Sequence, residues 1–153
     1  MALRTILKKD TDEESLRKKS RPVTVFDKRL HTMIDDMIDT LKDSGGVGLA
    51  APQVGILRRI VVIEKEDGTI LELVNPEIIA TAGEQEGLEG CLSLPGQSAP
   101  VERPYYVKAK AMDREGNEFI IEGEELMARA LCHEIDHLDG ILYNDKALPR
   151  EEA

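Results

Sequence analysis

Residues 118–140 read EFIIEGEELMARALCHEIDHLDG, and two different periodicities meet inside that stretch. Glu118–Glu122 is β-branched and aromatic at its centre and follows the turn Asp113-Arg114-Glu115-Gly116-Asn117. Upstream of that turn Val107, Ala109 and Ala111 alternate with Lys108 and Lys110, so the two segments read as an antiparallel hairpin. After Gly123 the pattern becomes helical, from Glu124 to about Leu138. Glu124 and Glu125 suit the positive end of the helix dipole, and Gly140 supplies a stop. A strand pair thus leads directly into a helix near the C-terminus.

The same contrast recurs upstream. Ile60-Val61-Val62-Ile63 and Ile70-Leu71-Glu72-Leu73-Val74 flank the turn signal Glu66-Asp67-Gly68-Thr69 and predict a second hairpin, each strand burying one face. Leu30, Met33, Ile34, Met37, Ile38 and Leu41 form one helical stripe between Asp27 and Lys42, with Asp35, Asp36 and Asp39 on the polar face. Ser44-Gly45-Gly46 ends that helix. Strands segregated from helices predict an α+β fold, with antiparallel hairpins packed around a C-terminal helix and one N-terminal helix. Residues 1–153 are expected to form a single domain, with 147–153 as a frayed tail.

Composition narrows the function. The 153 residues are 41% hydrophobic and 33% charged, a globular balance. Twenty Lys+Arg against thirty Asp+Glu give a formal charge of −10, so direct nucleic-acid binding is not expected. Lys8–Lys9 and Arg17–Arg21 are interleaved with Asp10, Asp12, Glu13 and Glu14 and read as solvated surface. No apolar run approaches the roughly 20 residues of a spanning helix. Residues 1–10 lack a signal-peptide core, so a cytoplasmic protein without a membrane partner is expected. Two cysteines, Cys91 and Cys132, are no disulfide framework.

The chemistry concentrates in His133-Glu134-Ile135-Asp136-His137. Positions four apart on a helix differ by only about 40° around its axis, so both imidazoles can converge on one ion. This is the His-Glu-x-x-His arrangement, in which the glutamate serves as general base. A third ligand is needed. Zincin peptidases usually take it from downstream, but no histidine follows His137, and the metzincin slot holds Tyr143. Upstream, His31 lies beside the apolar stripe of the first helix and suits a surface role. Cys91 is the better candidate, because glycines flank its segment and a thiolate suits a borderline-soft metal. Cys132 points about 100° away from His133 and reads as packing. The run Gly46-Val47-Gly48-Leu49-Ala50-Ala51-Pro52-Gln53 offers backbone amides and one side-chain amide to a cleft, or a tight loop beneath the sheet.

In this order and at these separations, Gly46–Gln53, Glu89–Ser93 and His133–Gly140 resemble the three signature stretches of the peptide deformylases. Those enzymes remove the formyl group from the N-terminal methionine of new bacterial polypeptides. The likeness extends from about Leu3 to Tyr143. The resemblance implies one divalent ion held by Cys91, His133 and His137, with Glu134 as base and acid. Oxyanion donors would come from the Gln53 amide and the Leu92 backbone N–H. It implies Fe²⁺ as the ion, although Zn²⁺, Ni²⁺ and Co²⁺ suit the same donors.

The resemblance also implies an N-formylmethionyl peptide laid beside the strand of Val47 and Gly48 and against Gly90. Its methionine pocket would comprise Val47, Leu126, Arg129, Ala130 and His133, with Arg129 giving its alkyl stem and keeping its charge in water. Glu89 and Arg103 match positions that pair in the family. Two departures stand out: Cys132 replaces a usual glutamine, and the ribosome-contacting C-terminal helix of many members has no counterpart up to Ala153. Two rival readings use the same residues. A peptidase would cleave internal amides, and a metal-stabilised binding domain would need a closed, four-ligand site.

Overall fold

The computed structural model describes residues 2–149. Its elements are helix α1 (Lys9–Leu16), helix α2 (Lys28–Ser44), strands β1 (Gly48–Ala50), β2 (Ile60–Glu64), β3 (Ile70–Ala82), β4 (Gln85–Cys91), β5 (Leu94–Arg103), β6 (Tyr106–Met112) and β7 (Glu118–Glu124), and helix α3 (Leu126–Leu138). Short 3₁₀ turns occupy Ala51–Val54 and Tyr143–Lys146.

The strands form two antiparallel sheets. One has five strands in the order β1-β2-β3-β6-β7, and the other is the β4-β5 hairpin. Both expected hairpins are present, as β2-β3 and β6-β7. One expectation fails for β2, which is buried on both faces. Ile60 and Val62 join Leu30, Ile34, Met37 and Leu41 of α2 in one core cluster, while Val61 and Ile63 join Leu131 and Leu138 of α3 in another. A strand covered on both sides needs a continuous apolar run rather than alternation, which is what residues 60–63 supply.

Helix α2 begins and ends as the sequence indicates. The Asp27 carboxylate accepts from the Leu30 N–H at 3.1 Å, and Gly45 closes the helix at φ +73°. Asp36, assigned to the polar face, is instead 6% exposed and paired with Arg4 at 2.9 Å. The boundary before α3 is also later than expected. Glu124 still pairs with Tyr106, and the chain turns at Glu125, where φ is +52°. Glu125 is held there because its N–H donates to the Tyr105 carbonyl at 3.0 Å and its own carbonyl accepts from Gln85 at 2.7 Å. Glu124 therefore belongs to the strand, not to the first helical turn.

Helix α1 adds to the single N-terminal helix expected. Leu16 is its only buried residue and Asp12 interrupts its helical dihedrals, so it carries no apolar stripe for a periodicity reading to find. Its position comes from tertiary contacts: the Lys9 N–H donates to the Ser93 carbonyl at 2.8 Å, and Arg17 pairs with Asp145. The tail also begins later than 147. Ala147 bridges Val101, and the Leu148 N–H donates to the Pro100 carbonyl at 2.8 Å. Residues 150–153 of the expected tail lie outside the described residues.

Candidate metal centre

Two separately built pieces meet at the site. Helix α3, packed on the five-stranded sheet, presents His133 and His137 one turn apart, with ring centroids 5.1 Å from each other. The β4-β5 hairpin delivers Cys91 at its tip, where Cys91 pairs with Leu94 across the turn. Its Sγ lies 3.3 Å from His137 Nε2, and one donor atom from each of Cys91, His133 and His137 falls within 4.8 Å of the others. Two imidazoles and a thiol so gathered could hold a divalent metal ion of the borderline class. His31 is not part of this group. It is half-buried, with Nε2 2.9 Å from the Arg114 carbonyl. Cys132 is buried in the α3 core cluster, and burial pushes its thiol up to about 11.

Behind the imidazoles lies Glu89, whose side chain is 3% exposed. Its Oε1 accepts from His133 Nδ1 at 2.8 Å and from Arg103 Nη2 at 2.9 Å. Its Oε2 accepts from Arg103 Nε at 2.9 Å and from Arg129 Nη1 at 2.7 Å. Burial alone would raise this carboxyl, but the Arg103 and His133 hydrogen bonds outweigh it and hold the group at about 2. With Nδ1 of His133 committed to Glu89, its Nε2 is the nitrogen left for a ligand role. Arg103 also reaches Asp136 at 2.7 Å, so the pair expected between Glu89 and Arg103 is part of a five-residue link from hairpin to helix, with His133, Arg129 and Asp136.

Arg129 differs from its expectation. Its side chain is 11% exposed, and the charge is not in water: Nη1 also donates to the carbonyls of Gly87 at 3.2 Å and Val101 at 3.3 Å. The reason is the second oxygen of Glu89, a buried charge that needs a partner. Gly87 leaves room for the crossing, since a Cβ there would lie 2.9 Å from the guanidinium.

Glu134 is 5% exposed and faces the same space, with Oε2 3.9 Å from His133 Nε2. Its Oε1 is buried without a hydrogen-bond partner among the described residues, and burial pushes the carboxyl up to about 7. Burial also opposes charge on His133. The Glu134 carboxylate, the Cys91 thiol and Glu89 prevail there and raise it to about 10. His137 goes the other way: burial and the neighbouring His133 push it down to about 3, leaving it a neutral lone-pair donor.

A cavity of about 650 Å³ opens beside these groups. Val47, Gly48, Gly90, Leu126, Arg129 and Ala130 line it, and Gln53, Cys91, Leu92, His133 and Glu134 share the lining. Gln53 is 1% exposed and fixed at both ends of its amide. Oε1 accepts from the Ala50 N–H at 2.9 Å, while Nε2 donates to Ser93 Oγ at 3.2 Å and toward Cys91 Sγ at 3.5 Å. The residues that the resemblance implies for the site therefore line one cavity, except His137, which lies against Cys91 without joining the lining. Three supports were not singled out. Ser93 and Asp136 each lie inside a signature stretch, but nothing in their spacing points to their partners. Tyr143, 3% exposed, stacks on His133 at 6.0 Å; the sequence had offered it only as an absent ligand.

The comparisons with known proteins agree with one another. The family profile described as polypeptide deformylase matches residues 4–153. The peptide deformylase of Alkaliphilus metalliredigens is 55% identical over 148 residues, spanning 97% of this chain and 99% of its own length. The crystal structure of the peptide deformylase from Thermotoga maritima is similar at a TM-score of 0.92 and 37% identity, covering 97% of this chain and 100% of that one. The peptide deformylase structure from Legionella pneumophila gives 0.91 and 47%, covering 97% and 88%.

Proposed function

The chain belongs to the polypeptide deformylase family, and on that premise we propose that Cys91, His133 and His137 hold one divalent ion while Glu134 moves the protons of the reaction. The reaction removes the formyl group from the N-terminal methionine of newly made polypeptides and releases formate. One observation carries the assignment of residues: a thiol and two imidazoles converge within 4.8 Å beside a buried carboxylate on the wall of an open cavity. The chemistry that a divalent ion supplies at such a site is Lewis acidity, which polarises a carbonyl and lowers the pKa of water. We assign Fe²⁺ on the family resemblance, the same donors being able to take Zn²⁺, Ni²⁺ or Co²⁺.

The protein's own groups do the rest. Glu134 accepts a proton from the attacking water and returns it to the departing amine, and its burial, which raises the carboxyl above the ordinary range, favours that exchange. Water and the formyl-peptide thereby become formate and a free N-terminus. Gln53 Nε2 and the Leu92 N–H donate to the oxygen on which negative charge develops. Gln53 suits that role because its amide is oriented by Ala50 and Ser93, and the Nε2 hydrogen that otherwise points toward Cys91 Sγ is the one given to that oxygen.

Substrate is held by backbone. β1 lies at the edge of the five-stranded sheet, and Gly90 lies in the two-stranded one, so a peptide between them can bond without its side chains being read. Val47, Leu126 and Ala130, with His133, receive the methionine side chain. Arg129, tied to Glu89, limits that pocket with its stem and not with a solvated charge. The partner is the N-formylmethionyl nascent peptide, close to where it is synthesised, and the compartment is the cytoplasm. Among the described residues no helix is long and apolar enough to cross a membrane.

The test is Glu134→Gln, loaded anaerobically with Fe²⁺. It should bind one ion per chain like the parent and release formate about 10²–10⁴-fold more slowly. Turnover at the parental rate would remove Glu134 from its role.

A further inference from the structure

A second cavity, of about 460 Å³, shares no lining residue with the one beside the metal centre. Its distinguishing feature is its arginines. Arg4, Arg17, Arg59, Arg103, Arg114 and Arg129 are each ion-paired with a carboxylate. The remaining arginines among the described residues are Arg21, Arg29 and Arg58. None of them has an acidic partner there, and all three line this one cavity. In a chain of net charge −10, three arginines gathered in one hollow with no ion pair to a carboxylate among the described residues are not the dispersed charge of an ordinary surface.

The backbone forces two of them together. Arg21 and Arg58 are partners in an isolated parallel bridge, closed by Arg21 N–H to the Leu57 carbonyl at 3.1 Å and Arg59 N–H to the Arg21 carbonyl at 3.0 Å. Like charges at paired positions repel. Among the described residues the Arg58 guanidinium donates only to the neighbouring Leu57 carbonyl, at 3.2 Å. Arg29 enters from the first turn of α2. The one acid in the lining, Asp27, is already engaged as the cap of that helix. Pro22, Val25 and Met33 also line the cavity, and Val25 is 63% exposed. The lining thus combines guanidinium groups with apolar side chains.

We propose that this cavity binds a phosphate-bearing ligand, with Arg21, Arg29 and Arg58 as its phosphate contacts. Guanidinium forks match the oxygens of phosphate in bidentate fashion, and the bound anion relieves the repulsion that the bridge imposes. Pro22, Val25 and Met33 in the lining offer apolar contact to the organic part of the ligand. The phosphate has two sources of the same chemistry, a small phosphomonoester or the backbone of a nucleic acid.

The test titrates the zinc-loaded protein with inorganic phosphate, with AMP and with a short single-stranded RNA, at constant ionic strength, following backbone amide resonances. Saturable shifts at residues 21–29 and 58 are expected, weakened about tenfold or more in the Arg21→Gln/Arg58→Gln variant. Formate release from a formyl-methionyl peptide should be unchanged in that variant, since neither residue touches the metal centre. Tighter binding of AMP identifies a small ligand, and tighter binding of RNA a polymer backbone. Shifts confined to residues 90–92 and 133, which phosphate on the zinc would produce, overturn the proposal. So does binding that survives in the variant, or no saturable binding of any of the three.

Discussion

Gly48 and Glu134 occupy what would otherwise be one space: a Cβ at position 48 would stand 2.8 Å from both Cγ and Oε2 of the glutamate. Gly48 opens β1, and Glu134 projects from α3 toward it. The carboxylate can therefore lie against strand backbone only because that residue has no side chain. Glycine is required here for close approach, not for an unusual dihedral.

Gly48→Ala should accordingly act through Glu134. We expect the variant to fold, to bind one metal ion per chain and to lose about 10²-fold in kcat, the order expected when a reacting group is misplaced by about an ångström. Steady-state kinetics with metal analysis on the same sample checks this. Parental kcat would mean that the carboxylate position is not critical.

Arg103 is buried between Glu89 and Asp136, with its side chain 2% exposed. Arg103→Ala strands part of the charge of two acids, although Arg129 still reaches Glu89 and Lys146 still reaches Asp136 at 3.1 Å. Urea denaturation should register a loss of about 3 kcal/mol, the lower end for breaking a buried pair. Competition with a chelator should show metal affinity lowered about 10–100-fold, because the group orienting His133 is no longer fixed. Parental metal affinity would show that the Glu89 network does not position the imidazole.

The two thiols should separate cleanly. Cys91 is half-buried at the cavity, and Cys132 is 5% exposed in the core. With metal bound, a thiol reagent should find neither cysteine in the folded protein; after chelation it should find Cys91 alone, and after denaturation both. Mass spectrometry of the alkylated peptides reads the outcome. Labelling of Cys91 at the same rate with and without metal would exclude it as a ligand.

What could be read from the sequence follows the range over which each signal acts. The α2 stripe, the hairpins of residues 60–74 and 107–122 and the single-face pairing of His133 with His137 are local periodicities, and each recurs in the structure. The β4-β5 hairpin was not visible that way. Gly87, Gly90, Pro95, Gly96 and Pro100 interrupt it, and although burial alternates along β4, the residue types run against it: Leu88 is exposed and Glu89 buried, so no hydrophobic alternation marks the inner face. Cys91 could be preferred as a ligand on chemistry, yet its approach to His137 from 46 residues away is tertiary and was supplied by the family resemblance. The Arg129 charge is hidden from sequence for the same reason: its partner, Glu89, lies 40 residues upstream, and a helical wheel shows the stem without showing where the charge goes.

Formate release from a short formyl-methionyl peptide measures the metal- and formyl-dependent hydrolysis directly. The protein is to be loaded anaerobically with Fe²⁺ and its metal content determined in the same sample. Formate should appear in step with bound metal and not after chelation, and the same peptide lacking its formyl group should not be cleaved. A folded sample carrying one ion per chain that releases no formate, or that cuts the unformylated peptide instead, would contradict that reaction.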